Sequence, residues 1–153
     1  MRMLISAVVT AAFLMISAGA IAADTNTLTV TASVTGTCKF VTGTSTLDFG
    51  ALDPSLGTNV NGSGSTTFWC TKGTVEAIAA GNGSNWDGSK RNMRDPVSTD
   101  LIPYTLTLTP DGGTNQGPGS PRTLTIAGQV LGTDYTTKSA GSYTDTVTLT
   151  ITP

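Results

Sequence analysis

Histidine is absent from the 153 residues, and cysteine occurs only twice, at Cys38 and Cys70. Without histidine, neither a Ser-His-Asp nor a Cys-His catalytic arrangement can be assembled. The two cysteines form no CxxC pair, which argues against a redox motif or a zinc site. Charge is scarce too: charged residues make up 12% of the chain, with 8 basic against 10 acidic and no basic stripe. Nucleic acid is therefore a poor partner. No apolar run reaches the roughly 20 residues a membrane span needs. The remaining acidic candidates read as turn residues. Asp48 and Asp53 flank Phe49-Gly50 in a turn context, where aspartate bonds its own backbone. Asp111-Gly112-Gly113-Thr114-Asn115 lacks the ordered acidic spacing and distal glutamate of a calcium loop. We expect a non-enzyme with no cofactor and no metal.

The N-terminus reads as a secretory leader, residues 1–23. Arg2 supplies the positive end, Leu4 to Ile16 the apolar segment, and Ala20-Ile21-Ala22 the cleavage site. Export leaves a mature chain of about 130 residues, enough for one domain with a real core. Removing Arg2 leaves seven basic and ten acidic residues, a net charge of −3. An even cysteine count in an exported chain argues for a Cys38–Cys70 disulfide. Closing a loop of about 32 residues stabilises by roughly 3–4 kcal/mol in the chain-entropy picture.

Threonine is abundant, about a fifth of the residues, and it favours strands. Short alternating runs recur between Gly, Asn, Asp and Pro. They lie at Cys38 to Phe49, at Phe68 to Cys70 after a turn at Asn61-Gly62-Ser63-Gly64, and at Val75 to Ala80. Further runs follow at Ile102 to Thr109, at Leu124 to Ile126 ending at Gly128, and at Tyr143 to Ile151. About six strands and no helix of useful length predict an all-β, immunoglobulin-like sandwich. Pro110 to Pro121, rich in glycine and proline, reads as an exposed connection.

Two segments at the extremes stand out. Leu28, Val30, Ala32 and Val34 alternate with threonine and serine ahead of the first cysteine, the pattern of a half-buried strand. Val147, Leu149 and Ile151 form an apolar face on the last strand, with no strand after it to cover the edge. The N-terminal strand can cover that edge in its own domain or in a neighbour's, because both bury the same residues. Completion of a partner's sheet by an extended segment is a known binding mode.

The order of motifs narrows the fold further. Thr37-Cys38-Lys39-Phe40 precedes Leu47-Asp48-Phe49-Gly50-Ala51-Leu52-Asp53-Pro54, then Cys70-Thr71-Lys72-Gly73, Gly81 and Arg91-Asn92-Met93. Leu101-Ile102-Pro103-Tyr104-Thr105-Leu106 and Gly141-Ser142-Tyr143-Thr144-Asp145-Thr146-Val147 complete the series. Over essentially the whole mature chain this resembles the spore coat protein U domain family, which includes the pilin subunits of archaic, Csu-type chaperone–usher pili. The chain departs from the family's habits in two places. Thr114-Asn115-Gln116-Gly117 replaces a frequent Trp-Gly, and Ile151-Thr152-Pro153 replaces a frequent aromatic ending.

The resemblance implies an incomplete immunoglobulin-like β-sandwich, residues 36–153, completed by an N-terminal donor strand, residues 24–35. It implies Leu28, Val30, Ala32 and Val34 as donor residues, Val147, Leu149 and Ile151 as acceptor-groove residues, and Cys38–Cys70 as the domain disulfide. It implies a periplasmic chaperone, an outer-membrane usher and other pilin copies as partners, and export to the cell surface as a pilus supporting adhesion and biofilm formation. A secreted coat or matrix protein of the same fold is one alternative. A self-complemented monomeric carbohydrate-binding or adhesive domain is another. Trp86 bears on the latter, since it lies near Lys90, Arg91 and Arg94. It either packs on the sheet with Met93 or offers its ring to a sugar or a cation.

Overall fold

Alternation of apolar and polar residues decides which segments become strands and which face each strand buries. The computed structural model describes residues 22–153, so the leader expected over 1–23 lies almost wholly outside them. Contacts divide the chain into two units between Ser33 and Val34. In the first, residues 22–33 carry no assigned helix or strand and are exposed.

The second unit holds β1 (Cys38–Phe40), β2 (Val60–Cys70), β3 (Ala77–Ala80), β4 (Arg91–Arg94), β5 (Leu101–Pro110), β6 (Arg122–Val130) and β7 (Leu149–Thr152). One helical turn, α1 (Gly132–Tyr135), follows β6. The protein is all-β. Five strands form one antiparallel sheet in the order β1-β2-β6-β5-β4, and β3 and β7 form a second.

The inward residues of both sheets make the core. Phe68, Cys70 and Leu124 are fully buried, and Ile78, Leu149 and Ile151 of the small sheet pack against them. A second cluster joins Ile102, Val130 and Tyr135 to Phe49, Leu52 and Met93. Cys38 and Cys70, directly opposite in the β1–β2 register, form the disulfide. Trp69 and Lys39 share the opposite face of that pair, as alternation requires.

Three expectations need correction. Asn61-Gly62-Ser63-Gly64 is not a turn but the first half of β2. Gly128 does not end its strand, since β6 runs on to Val130. The connection after β5 is not wholly exposed, because Asn115 is buried at 3% exposure. Its side-chain amide donates to the Thr74 carbonyl and to Glu76, while its backbone carbonyl accepts from the Gly73 N–H. β4 was not anticipated as a strand. Its four residues carry a single apolar side chain, too little pattern to read.

The first two corrections share a cause, close approach of backbone. A Cβ at Gly64 would run into the Thr46 carbonyl oxygen. One at Gly62 would lie 2.7 Å from the Asp48 carbonyl, and one at Gly128 2.8 Å from the Leu47 side chain. The glycines clear a shelf on the sheet across which residues 45–49 lie.

Candidate functional site

Residues 41–49 form one wall of a long cleft. They leave β1 with a backbone hydrogen bond from the Val41 N–H to the Thr67 carbonyl, share a hydroxyl hydrogen bond between Thr42 and Thr66, and return to the sheet at the Asp48–Ser63 bridge. Asp48 shapes the wall's end by accepting from the Gly50 N–H, and Asp53 accepts from the Ser55 N–H and hydroxyl. Both are turn residues, as expected from their setting.

Residues 143–149 form the opposite wall. Thr144 exchanges two backbone hydrogen bonds with Arg94, and the Thr146 and Thr148 carbonyls accept from the Ser84 and Gly81 N–H groups. In an extended chain successive residues present their backbone groups to opposite edges. Tyr143, Asp145 and Val147 therefore present theirs to the cleft, where no backbone hydrogen bond reaches them among the described residues.

Between the walls run three adjoining cavities of about 340, 310 and 700 Å³. Phe40, Val147 and Leu149 line the first, and Val147 and Leu149 continue into the second. Leu106, Ile126 and Met93 floor the second, and Phe49, Tyr143 and Leu52 lead into the third. The second cavity is lined mostly by apolar side chains, Thr42, Thr44, Ser45 and Thr66 line much of the first, and the cleft ends on one side in backbone unpaired among the described residues. Such an arrangement suits an extended peptide better than a compact ligand.

Asp145 fixes the second wall. Its carboxylate accepts from the Ser84 and Asn85 N–H groups, the Asn85 amide and the Tyr104 hydroxyl, the last at 2.7 Å. Burial and the neighbouring Asp145 carboxylate push the Tyr104 phenol well above its ordinary value, so it stays a donor. Gly83 has φ +87°, and a side chain there would meet the Asp145 carboxylate. The Tyr104 ring also stacks at a tilt on Phe49, 6.0 Å between centroids, which ties the two walls to one floor residue. Tyr104 and Asp145 lie within recognisable motifs, but nothing in the motifs pairs them.

The residues singled out from the sequence fall in three places. Val147 and Leu149 line the cleft. Ile151 lies beyond it in β7, packed on the Phe68–Cys70–Leu124 cluster. Leu28, Val30 and Val34 are 83%, 82% and 86% exposed, and Ala32 is exposed with them.

Among solved structures, the chain is similar to the chaperone–tip adhesion subunit pre-assembly complex of archaic chaperone–usher Csu pili from Acinetobacter baumannii. The TM-score is 0.45 at 13% identity, covering 78% of this chain and 40% of that one. Among characterised sequences it is 34% identical over 171 aligned positions to Protein U of Myxococcus xanthus, covering 97% of this chain and 96% of the relative. The Spore Coat Protein U domain matches residues 24–150. That match takes in both the exposed N-terminal run and the walls of the cleft, and the chain belongs to the Spore Coat Protein U domain family.

Proposed function

We propose that this chain is a structural pilus subunit, polymerised when the N-terminal run of one copy fills the cleft of the next. The observation that carries the reading is the cleft wall at Asp145 and Val147, whose backbone groups face an apolar trough without a backbone partner among the described residues. An added strand would bond to that wall and place alternate side chains in the trough. Leu28, Val30, Ala32 and Val34 supply such a strand, spanning about 20 Å at the usual rise per residue. Burying each large aliphatic side chain stabilises by roughly 1.5–3 kcal/mol. Each ladder hydrogen bond adds roughly 0.5–1.5 kcal/mol net.

The link is head-to-tail, so it propagates as a filament rather than closing. Before assembly, a periplasmic chaperone would cover the cleft with a strand of its own, and an outer-membrane usher would exchange it for an incoming subunit. Surface adhesion and biofilm formation then follow from fibre display.

Self-completion makes a different geometric demand. Only Thr35, Gly36 and Thr37 separate Val34 from β1. Folding back across so short a turn would lay the segment antiparallel to residues 40–49 and parallel to residues 143–149.

The test is the assembly state of the mature chain with and without residues 24–35, by light scattering and electron microscopy. Fibres or SDS-resistant oligomers should vanish on deletion, while the truncated body still binds an added peptide of residues 24–35. A stable monomer that unfolds on deletion would instead establish self-completion and overturn the polymer reading. Charged residues at Val30 and Val34 should likewise abolish fibres without unfolding the chaperone-bound body. Normal fibres from that double variant would remove the segment from the donor role.

A further inference from the structure

We propose that the cleft beside Trp86 is a glycan-binding site that takes a uronic-acid-bearing oligosaccharide. The loop Asn85–Lys90 is built to hold that indole in a fixed place. Asp87 accepts from the Ser89 and Lys90 N–H groups at 2.8 and 2.7 Å. Asn92, 2% exposed, spends its amide on the Asn85 and Lys90 carbonyls and on Asp87. Asn85 is tied in turn to Thr144 and Asp145. The anchored loop leaves part of the Trp86 side chain, 38%, open to solvent at the edge of a cleft. Met93, which the sequence placed beside it, packs instead in the core around Ile102.

The cleft that Trp86 borders has a volume of about 350 Å³ and is also lined by Pro103, Leu131, Lys90, Gln129 and Asp134. This lies within the usual range for small-ligand sites and has their composition, an apolar body with a few polar groups. Leu131 is itself 40% exposed. The C–H face of a pyranose is a weakly positive apolar plate, which complements the electron-rich face of indole. Gln129 and Asp134 offer hydrogen-bonding groups for ring hydroxyls.

Charge selects the sugar class. Arg91 lines the cleft with its guanidinium already donating to the Gly81 and Ala80 carbonyls. The Lys90 ammonium forms no ion pair among the described residues. Within the lining, two cations stand against the single carboxylate of Asp134, with the Asp87 carboxylate near Lys90 outside it; the balance inside the cleft favours an acidic sugar, whose carboxylate would meet Lys90. Tyr104 and Leu106 border both this cleft and the trough, whereas Trp86 and Lys90 belong to this cleft and not to the trough.

The test uses the full mature chain with Trp69→Phe, which leaves Trp86 as the sole indole, titrated with trigalacturonate and with maltotriose. Trigalacturonate should give a saturable change in Trp86 emission, while maltotriose binds more weakly. By calorimetry, Trp86→Ala should weaken trigalacturonate binding about tenfold or more, and Trp86→Tyr should retain most of it. Lys90→Gln alters an exposed side chain, leaves the fold intact and should remove the preference over maltotriose. Absence of saturation at millimolar trigalacturonate, or unchanged binding by a folded Trp86→Ala chain, would overturn the site. Equal affinity for the two sugars in the unsubstituted chain would overturn the uronate assignment.

Discussion

Arg122 serves two carboxylates at once. One guanidinium nitrogen meets Glu76 at 2.6 Å and another meets Asp111 at 2.8 Å, while the group stacks 5.2 Å from the Phe68 ring centre. This pins the β5–β6 connection over the core, which the composition of that stretch does not foretell. Arg122→Ala would leave the half-buried Glu76 without its cation, held only by the Asn115 amide, and should destabilise by about 3 kcal/mol in denaturant unfolding. The same cluster contributes to the loss of stability in acid. Backbone donation from Thr123, then Arg122 and Gly113, holds Asp111 down at about 2. Burial pushes Glu76 up, but its hydrogen bonds and the charge of Arg122 outweigh this and lower it overall. Both folded values lie below the unfolded ones. Their stabilisation is therefore present above about pH 4 and lost as pH falls through the folded values. Unfolding midpoints should drop along that limb, and Asp111→Asn should flatten the drop. Asp145 is the comparable residue at the cleft. Asp145→Ala takes the carboxylate acceptor from the Asn85 N–H and the Tyr104 hydroxyl and should cost about 1–3 kcal/mol, read by the same unfolding experiment.

At the scale of elements, β2 shows how spacing can mislead. Asn-Gly-Ser-Gly is turn chemistry when read locally, yet its glycines lie in the middle of an antiparallel sheet. They lie there because another segment crosses them, and a crossing is a long-range fact. Gly64→Val should push residues 45–49 off the sheet and destabilise by about 1–3 kcal/mol. Because the shelf is one wall of the cleft, the substituted body should also lose affinity for a peptide of residues 24–35, measured by titration calorimetry. Alternation was a better guide where strands are long and half-buried. β5 keeps the apolar residues Ile102, Leu106 and Leu108 inside and Thr105, Thr107 and Thr109 outside. Residues 143–148 alternate just as cleanly but are not assigned as strand. A ladder needs partners, and only alternate residues there have them.

For the whole molecule, the disulfide and the cleft are the governing features. Cys38–Cys70 closes the β1–β2 pair at the edge of the large sheet, next to the start of the cleft wall at residues 41–49. Replacing both cysteines with serine should lower stability by roughly 3–4 kcal/mol. The loss should appear as a shift in the denaturant midpoint with little change in slope if the native fold persists.

The sequence by itself determined the strand-rich class, the cysteine pair, the turn roles of Asp48 and Asp53, the apolar alternation at both ends of the chain and the family. These follow from local periodicity and composition, which act over a few residues. Only the tertiary structure decided which glycines are shelves rather than turns, that Tyr104 and Asp145 brace one wall, and that Glu76, Arg122, Asp111 and Asn115 converge. It also decided that Val147 and Leu149 line a trough, while Ile151 lies beyond it and joins Leu149 only on the core cluster. Each of these depends on which segments come within contact distance across tens of residues. Pairing of that kind is settled by the packing of two sheets, not by any local run of the chain.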